Sequence, residues 1–522
     1  GGPPVLSNEK GRRAVFFTPI PALIPMPTGT PLPDIPEHQL ADSFRRGVRW
    51  SLAGTLGSAL FQTLQIIVFT RLAGPAEAGE YAIAAVVLGF LVPVAEAGLS
   101  QAIVQARSIT PGQLAALTWI NLLFGALIFS ALWLAGNVIA AWFNQPSVSP
   151  LLGVMGLSLL ITPLGTQHAG LLTRSMQFDL IAKIEVISWA GSFVVTAALA
   201  GLGWGAMAMG AGFLTRNILA TAGCLVAIRS SYACWAPRLA HFREALPYLR
   251  FGLYDLASRW ADFASNYADK LIVGKWLGAT ALGLYNLGFT FLMLPTARLG
   301  YIVTRVGFPV FARLRDNKPA LQHYFNKLSR DMITLLFPVY AGLALFSREV
   351  ILIVFGAAWL PAVPVLTILA IGGLVRSCSA VFPQLLKGLG NPRLLFIWML
   401  VWSAVLVLFL SVFLFVRPTV ESAAWSRTAA KFLVEVALLW WLAGRCGVRF
   451  APVLTYAWQT ALWLLPLVAG CSLLAFADGH FWAVLSIKAV IFGGGLLWLV
   501  QKGPLRPAWT SLIASFGIER KA

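Results

Sequence analysis

Two segments of this chain share one pattern, Arg71-Leu-Ala-Gly-Pro-Ala-Glu-Ala-Gly-Glu-Tyr81 and, 204 residues later, Lys275-Trp-Leu-Gly-Ala-Thr-Ala-Leu-Gly-Leu-Tyr285. Each segment reads basic-x-x-Gly-x4-Gly-x-Tyr. Three further pairs of identical residues keep the same offset: Arg46 and Arg250, Leu52 and Leu256, Ala53 and Ala257. Similarity at a fixed spacing indicates a repeated structural unit. The sequence therefore predicts two related halves.

Long apolar stretches surround both segments. The chain is 58% hydrophobic and 11% charged, with a mean hydropathy of +0.77, whereas soluble domains are about 25% charged. Stretches of about 20 apolar residues are long enough to cross a hydrocarbon core of about 30 Å as helices. The predicted fold is an all-α polytopic membrane protein with about fourteen transmembrane helices. They are placed at 48–70, 80–106, 113–136, 150–173, 183–202, 205–228, 250–274, 282–311, 330–347, 360–387, 393–416, 420–443, 452–476 and 481–501.

The basic residues predict the topology. With the N-terminus in the cytoplasm, cytoplasmic segments hold 26 of the 39 Lys and Arg residues and the outer loops hold 4. This asymmetry is the one that cytoplasmic loops generally show, so both termini are predicted to be cytoplasmic. Six helices separate the repeated loops, which places them on the same side as a parallel repeat. Because the basic residues are dispersed, the net charge of +19 does not indicate nucleic-acid binding.

Composition and helix positions divide the chain into five segments. The first is rich in Pro, which neither helix nor sheet accommodates easily, and it is predicted to be disordered. The segments are a cytoplasmic tail at 1–43, a six-helix lobe at 44–229, a second six-helix lobe at 246–443, a peripheral helix pair at 452–503 and a cytoplasmic tail at 504–522. The one charge buried by sequence depth in the peripheral pair is Lys488, whose side chain is long enough to snorkel.

A polar stripe runs along the predicted seventh helix. Its members follow one another at steps of four, three, four and three, which places them on one helix face: Asp255, Arg259, Asp262, Asn266 and Asp269. The first helix carries uncharged polar residues at the equivalent positions, namely Ser51, Thr55, Ser58, Gln62 and Gln65. The eighth helix adds Arg298, Tyr301 and Arg305. Polar residues are also predicted inside helices at Glu96, Arg216, Arg376, Arg427, Lys431 and Glu435.

Two interpretations of the stripe stay open. Ionisable groups in a membrane are costly and usually face a bundle interior or a water-filled cavity. The stripe therefore fits a hydrated cavity between two six-helix lobes, cationic enough to hold an anionic headgroup. Alternatively, ion pairs such as Asp255–Arg259 and Asp262–Arg298 only fix helix packing.

Signatures of catalysis, metal binding and cofactor binding are absent from the sequence. The five cysteines show no CxxC spacing, and neither an HExxH motif nor a phosphate-binding GxxxxGK[ST] loop occurs. The chain is predicted not to be an enzyme and to need no cofactor or metal ion.

The two Gly-x4-Gly-x-Tyr loops and the stretch Leu171-Leu-Thr-Arg-Ser-Met-Gln-Phe178 resemble the Wzx-type oligosaccharide and polysaccharide flippases. These belong to the multidrug/oligosaccharidyl-lipid/polysaccharide (MOP) exporter superfamily. The likeness covers roughly residues 44–503, and the exopolysaccharide branch fits the helix count. It implies a multi-pass protein of the bacterial inner membrane. The implied activity moves an undecaprenyl-diphosphate-linked oligosaccharide from the cytoplasmic to the periplasmic leaflet by alternating access of two lobes. The implied partners are membrane lipid, the lipid-linked oligosaccharide, and a polysaccharide polymerase with its export machinery.

The stripe supplies the predicted site residues for such a substrate. Guanidinium groups suit bidentate phosphate contacts, so Arg259, Arg298 and Arg305 are the predicted headgroup ligands. The predicted hydrogen-bonding residues are Gln62, Gln65, Asn266 and Tyr301, and the candidates for ion or proton coupling are Asp255, Asp262 and Asp269.

Two other functions are considered. A multidrug or metabolite extruder of the same fold would favour cationic substrates and an acidic cavity, whereas the helices here hold nine basic residues. A membrane polysaccharide polymerase or ligase usually needs a large outer loop for its active site, and the predicted outer loops are about a dozen residues or fewer.

Overall fold

A computed structural model of the chain describes residues 37–96, 103, 110–175, 177–227, 239–446, 448–473 and 481–501. Within those residues the regular secondary structure is entirely helical, which confirms the predicted fold class. The side chains of some residues inside these helices lie outside the description, among them most of 239–262 and 297–306.

Seven helices form the first half of the chain. They are α1 (Glu37–Leu72), α2 (Pro75–Glu96), α3 (Pro111–Phe143), α4 (Val148–Gly156), α5 (Ser158–Arg174), α6 (Phe178–Gly201) and α7 (Ala206–Ala227). The first turns of α1 overlap the tail predicted at 1–43, and residues 1–36 lie outside the described part. Local sequence explains several boundaries: Thr110 and Gln113 form a capping box at the start of α3, and Asn144 ends it in the left-handed conformation at φ 56°.

The second half continues with α8 (Leu239–Arg313), α9 (Lys318–Leu345) and the short α10 (Ser347–Val350). A π-helical turn at Ile351–Phe355 and a 3₁₀ turn at Ala357–Ala362 lead into the remaining helices. These are α11 (Val363–Cys378), α12 (Phe382–Gly388), α13 (Pro392–Val416), α14 (Val420–Cys446), α15 (Ala451–Leu473) and α16 (Phe481–Gln501). Within α8, Gly278 adopts φ 85° and ψ 178°, so α8 consists of two helices that meet there.

Among the described residues, 12 helical stretches are long and apolar enough to cross a membrane. One of them, Phe263–Thr296, contains the break at Gly278. Helix α14 is not one of the 12, and it carries Glu421, Arg427, Lys431 and Glu435 along its 27 residues. The chain is thus a multi-pass membrane protein, while the total of fourteen spans and the segment boundaries stay predictions.

The two repeated segments cross each other at the first turns of two helices, α2 and the second helix of α8. A Cβ atom added to Gly79 would overlap the carbonyl oxygen of Ala279, and one added to Gly283 would overlap the carbonyl oxygen of Pro75. Ala279 and Gly283 lie 204 residues after Pro75 and Gly79, so the two contacts are reciprocal. We call this part of the bundle, which contains Gly74 and Gly278, the Gly74 end. Here the halves touch backbone to backbone.

A shared core extends from this crossing. It brings Leu88 and Leu151 of the first half together with Tyr285 and Tyr340 of the second, all of them at most 1% exposed. The hydroxyl of Tyr340 donates to the carbonyl oxygen of Leu292 at 2.7 Å. Burying these large side chains holds the halves together beyond the glycine contacts.

A buried ion pair connects the helix pair α15–α16 to the rest of the second half. Lys488 does not snorkel: it is 6% exposed and its Nζ lies 2.6 Å from Oε1 of Glu349, which is 5% exposed. The expectation of snorkelling is wrong because the partner, Glu349, lies 139 residues away in the sequence. A second contact lies just before the start of α15. The backbone N–H of Arg449 donates to Oε1 of Gln322 at 2.5 Å, and Nε2 of Gln322 donates to the carbonyl oxygen of Arg449 at 2.9 Å.

Substitution of either crossing glycine will destabilise the bundle. Gly79→Ala and Gly283→Ala each force backbone against a new methyl group, and we expect a loss of about 1–3 kcal/mol, the usual cost of overpacking. The measurement is the melting temperature in detergent. Gly493→Ala is the control, because a Cβ there meets no atom within 4 Å. Melting temperatures equal to that of the control would show that the halves do not cross here.

Removal of one partner of the Lys488–Glu349 pair will also destabilise the protein. Lys488→Met leaves the carboxylate buried and unpaired, which costs about 3–5 kcal/mol. The double variant Lys488→Met with Glu349→Gln is expected to recover most of the lost melting temperature, because no lone charge remains. Lys387→Met, at an exposed lysine, serves as the control. A double variant no more stable than Lys488→Met would contradict a direct pairing.

Candidate functional site

A polar cavity lies at the end of the bundle opposite to the Gly74 end. Its volume is about 330 Å³. It is lined by Glu96 of α2, by Thr162, Gly165, Thr166 and Ala169 of α5, by Asn217, Ala220, Thr221 and Cys224 of α7, and by Arg259 of α8. Glu96 is 21 residues beyond Pro75, so this wall of the cavity lies about 30 Å from the glycine crossing at 1.5 Å per residue. First-half helices and Arg259 of the second half form this cavity together.

One long ion pair spans the cavity. Nη1 of Arg259 lies 3.6 Å from Oε2 of Glu96, and their side chains are 36% and 24% exposed. A partly solvated pair at this distance contributes little net stability. The guanidinium of Arg259 thus places a positive charge at the cavity wall.

The rest of the described lining is uncharged and combines polar side chains with small residues. Three of its side chains donate to main-chain oxygens: Thr166 Oγ1 to Thr162 at 2.9 Å, Thr221 Oγ1 to Ile161 at 3.4 Å, and Asn217 Nδ2 to Phe213 at 2.8 Å. Each hydroxyl keeps lone pairs that can accept hydrogen bonds, and so does the Asn217 amide oxygen. Such groups suit the hydroxyls of a sugar. The small side chains between them, such as Ala169 and Ala220, leave the volume of the cavity unfilled.

The structure separates the predicted site residues into three groups. Arg259 lines the cavity, and Gln62 and Asn266 are half-buried. Gln65 and Asp269 are buried in helix contacts away from it. The remaining five lie on α8 with side chains outside the described part: Asp255, Asp262, Arg298, Tyr301 and Arg305.

Gln65 belongs to a hydrogen-bonded cluster inside the first half. Its Nε2 donates to Thr196 Oγ1 at 2.8 Å, and its Oε1 accepts from Ser192 Oγ at 3.1 Å. Gln65 is 2% exposed, and Ser192 and Thr196 are 0% exposed. These bonds join α1 to α6, which is the packing role considered for the stripe.

Asp269, the equivalent of Gln65, makes a charged contact with a different helix in the second half. It forms an ion pair with Arg427 of α14 and accepts a hydrogen bond from the hydroxyl of Tyr285 at 2.6 Å. The Arg427 guanidinium lies 4.6 Å from the ring centroid of Phe289 and 5.6 Å from that of Trp402. The adjacent Lys270 bonds Oδ1 of Asn286 at 2.7 Å.

Further along α14, Lys431 pairs with Glu435, whose Oε1 also accepts from Ser379 Oγ at 2.5 Å. A cavity of about 10 Å³ beside Arg376, Arg427 and Lys431 has room for about one water. The buried charges of α14 are thus paired within the second half, although Oε2 of Glu435 has no hydrogen-bond partner.

Several residues of the cavity were missed by sequence reasoning. Two helices contribute them as pairs four residues apart, Thr162 with Thr166 and Asn217 with Thr221, and two short uncharged pairs far apart in the sequence do not indicate a shared cavity. Glu96 carried a signal, since it is an acid inside an apolar stretch, but nothing in the sequence pointed to its contact with Arg259.

The fold and the cavity together define a class: multi-pass helical membrane proteins with a polar cavity between their helices, the architecture of a transporter. The family described as "Polysaccharide biosynthesis protein" matches residues 68–364, and the chain belongs to that family. The resemblance inferred from the sequence is thereby confirmed.

Relatives and solved structures agree with this assignment. The chain is 29% identical to the teichuronic acid biosynthesis protein TuaB of Bacillus subtilis (strain 168) over 73% of this chain and 78% of that one. It is 28% identical to the lipopolysaccharide biosynthesis protein WzxC of Escherichia coli (strain K12) over 63% and 67%. Its fold matches an inward closed conformation of the lipid II flippase MurJ with a TM-score of 0.70 at 16% identity, covering 90% and 99% of the chains. An inward-facing MATE transporter of the MOP superfamily matches with a TM-score of 0.60 at 14% identity, covering 75% and 94%.

Water is expected to enter the cavity. Cysteines introduced at Thr166 and Asn217, in a background without native cysteines, will react with a membrane-impermeant thiol reagent in detergent-solubilised protein. Ser192→Cys is the control, because Ser192 is 0% exposed within the first half. Labelling is read by mass spectrometry. Equal protection of all three positions would show that no wet cavity exists.

Proposed function

We propose that this chain is a flippase that moves a lipid-linked oligosaccharide across the inner membrane for extracellular polysaccharide biosynthesis. The observation that carries the proposal is the polar cavity with Arg259 at its wall, open at one end of a bundle that shares the fold of a lipid II flippase. Related proteins include the succinoglycan biosynthesis transport protein ExoT of Rhizobium meliloti (strain 1021) and a probable low-salt glycan biosynthesis flippase of Haloferax volcanii. Each name combines the biosynthesis of a saccharide with transport or flipping.

The cavity chemistry suits a headgroup that is part phosphate and part sugar. Arg259 supplies a planar cation for a diphosphate, and its weak pair with Glu96 can open to admit one. Thr162, Thr166 and Asn217 supply hydrogen-bonding groups for sugar hydroxyls, while the lipid tail stays in the bilayer. Arg298, Arg305 and Tyr301 remain proposed ligands on the second helix of α8.

The distribution of basic residues supports an orientation for this transport. We place both termini in the cytoplasm of a bacterial cell, so the Gly74 end faces the periplasm and the polar cavity faces the cytoplasm. In that orientation the bundle is open to the side on which lipid-linked oligosaccharides are assembled. A polymerase and export machinery are proposed to take over the product on the other side, and the chain itself is proposed to perform no covalent chemistry.

The acidic residues of the stripe are proposed to have different roles. Asp269 is held by Arg427 and Tyr285 in a buried contact, so we assign it to packing of the second half. Asp255 and Asp262 remain the proposed coupling residues on α8.

A drug extruder of the same fold is the second candidate, since a MATE transporter shares the architecture. Its cationic substrates would require an acid available to them. Among the described lining residues the one acid is Glu96, and it faces Arg259. This pairing favours an anionic substrate over a cationic one.

Deletion of the gene is expected to abolish polysaccharide secretion and to leave lipid-linked oligosaccharide in the inner leaflet, where a glycosidase supplied from the periplasm cannot reach it. Complementation with Arg259→Ala should restore at most about a tenth of secretion, because a hydrogen bond to a charged group contributes roughly 1.5–3 kcal/mol. Secretion and glycosidase sensitivity are measured in parallel with protein level.

Arg417→Ala is the matched control, because Arg417 is an exposed cation outside the cavity. Normal secretion in the deletion strain, combined with new drug sensitivity, would instead support the extruder. Normal secretion with Arg259→Ala at normal protein level would remove Arg259 from the site.

A further inference from the structure

The basic residue of the repeated motif crosses to the opposite half in both copies. Arg71 of the first half donates from Nε to the carbonyl oxygen of Val354 at 2.7 Å and from Nη2 to that of Ile353. Lys275 of the second half donates from Nζ to the carbonyl oxygen of Trp142 at 2.5 Å, and it lies 5.3 Å from the centroid of the Trp142 ring. The same motif position is thus used twice, in opposite directions.

Both cations bind the carboxyl end of a helix. Ile353 and Val354 belong to the π-helical turn that stops at Gly356, whose φ is 94°. Trp142 is in the last turn of α3, which ends at Phe143. The last carbonyl groups of a helix lack intrahelical partners and carry partial negative charge. A cation from the other half therefore satisfies them and holds the two halves together.

The surroundings of these contacts show that they lie where the halves meet. The indole N–H of Trp359 donates to the carbonyl oxygen of Thr70 at 2.8 Å, next to Arg71, and Trp359 is 1% exposed. The crossings of Gly79 with Ala279 and of Gly283 with Pro75 lie within eight residues of Arg71 and Lys275 in the sequence. The Gly74 end is therefore closed, while Glu96 at the far wall of the polar cavity lies about 30 Å away.

We propose that Arg71 and Lys275 form a reciprocal latch that keeps the Gly74 end shut while the cavity at the opposite end is open. The inference rests on the proposed transport function, because release on the far side requires the halves to part at this end. Both hydrogen-bond contacts are exposed to solvent, so each is strong enough to bias the closed arrangement and weak enough to break in every cycle. By contrast, the buried Asp269–Arg427 and Lys431–Glu435 pairs stay within one half and need not break.

The latch is tested by distances between spin labels in lipid nanodiscs without substrate. Labels are attached at Leu202→Cys in the first half and Ala358→Cys in the second, in a background without native cysteines; Leu202 is 73% exposed and Ala358 is exposed. Removing both cations with Arg71→Ala and Lys275→Ala should raise the ratio of long-distance to short-distance populations by at least about tenfold. If the double variant does not insert, each single variant should raise the ratio about threefold.

Two controls fix the interpretation. Arg348→Ala removes an exposed cation from the second half and should leave the distances unchanged. The charge-keeping pair Arg71→Lys with Lys275→Arg should keep most of the short-distance population. Unchanged distances in the Ala variants, or an equal shift in either control, would overturn the latch. Because the measurement uses no substrate, failure of the proposed flippase activity would appear in secretion and leave this result untouched.

Discussion

The close crossing of two backbones at the Gly74 end is the constraint on which the rest of the bundle depends. Gly79 lies against the carbonyl of Ala279 and Gly283 against that of Pro75, so each half supplies the small residue that the other half needs. This reciprocity fixes the relation between α2 and the second part of α8. It also brings Arg71 and Lys275 within reach of the opposite half, and it leaves the space between the halves at the other end.

The two halves use one equivalent position for different contacts. At equivalent positions, Gln65 joins its neighbours through neutral hydrogen bonds, whereas Asp269 does so through an ion pair with Arg427. Breaking a buried ion pair is costly, so the second half is held as a firm unit. The buried Lys488–Glu349 pair adds α15 and α16 to that unit.

The polar groups open to solvent are arranged differently from the buried ones. Glu96 and Arg259 face each other at 3.6 Å across the cavity, and the hydrogen-bond contacts of Arg71 and Lys275 at the Gly74 end are exposed. Partly solvated contacts exchange partners at small cost. A flippase of the proposed kind needs this distribution, because its halves must separate and rejoin while each half keeps its internal contacts.

The sequence by itself determined the membrane class, the approximate helix positions, the repeat of 204 residues and the family resemblance, because hydropathy and spacing are local properties of the chain. It also identified Arg259 and the charged series on α14. Only the tertiary structure decided which of these face each other. Asp269 pairs with Arg427, which lies 158 residues away in the sequence, and Lys488 pairs with Glu349, which lies 139 residues away. The cavity is assembled from scattered residues of four helices, and no periodicity along one helix can reveal a partner that another helix supplies.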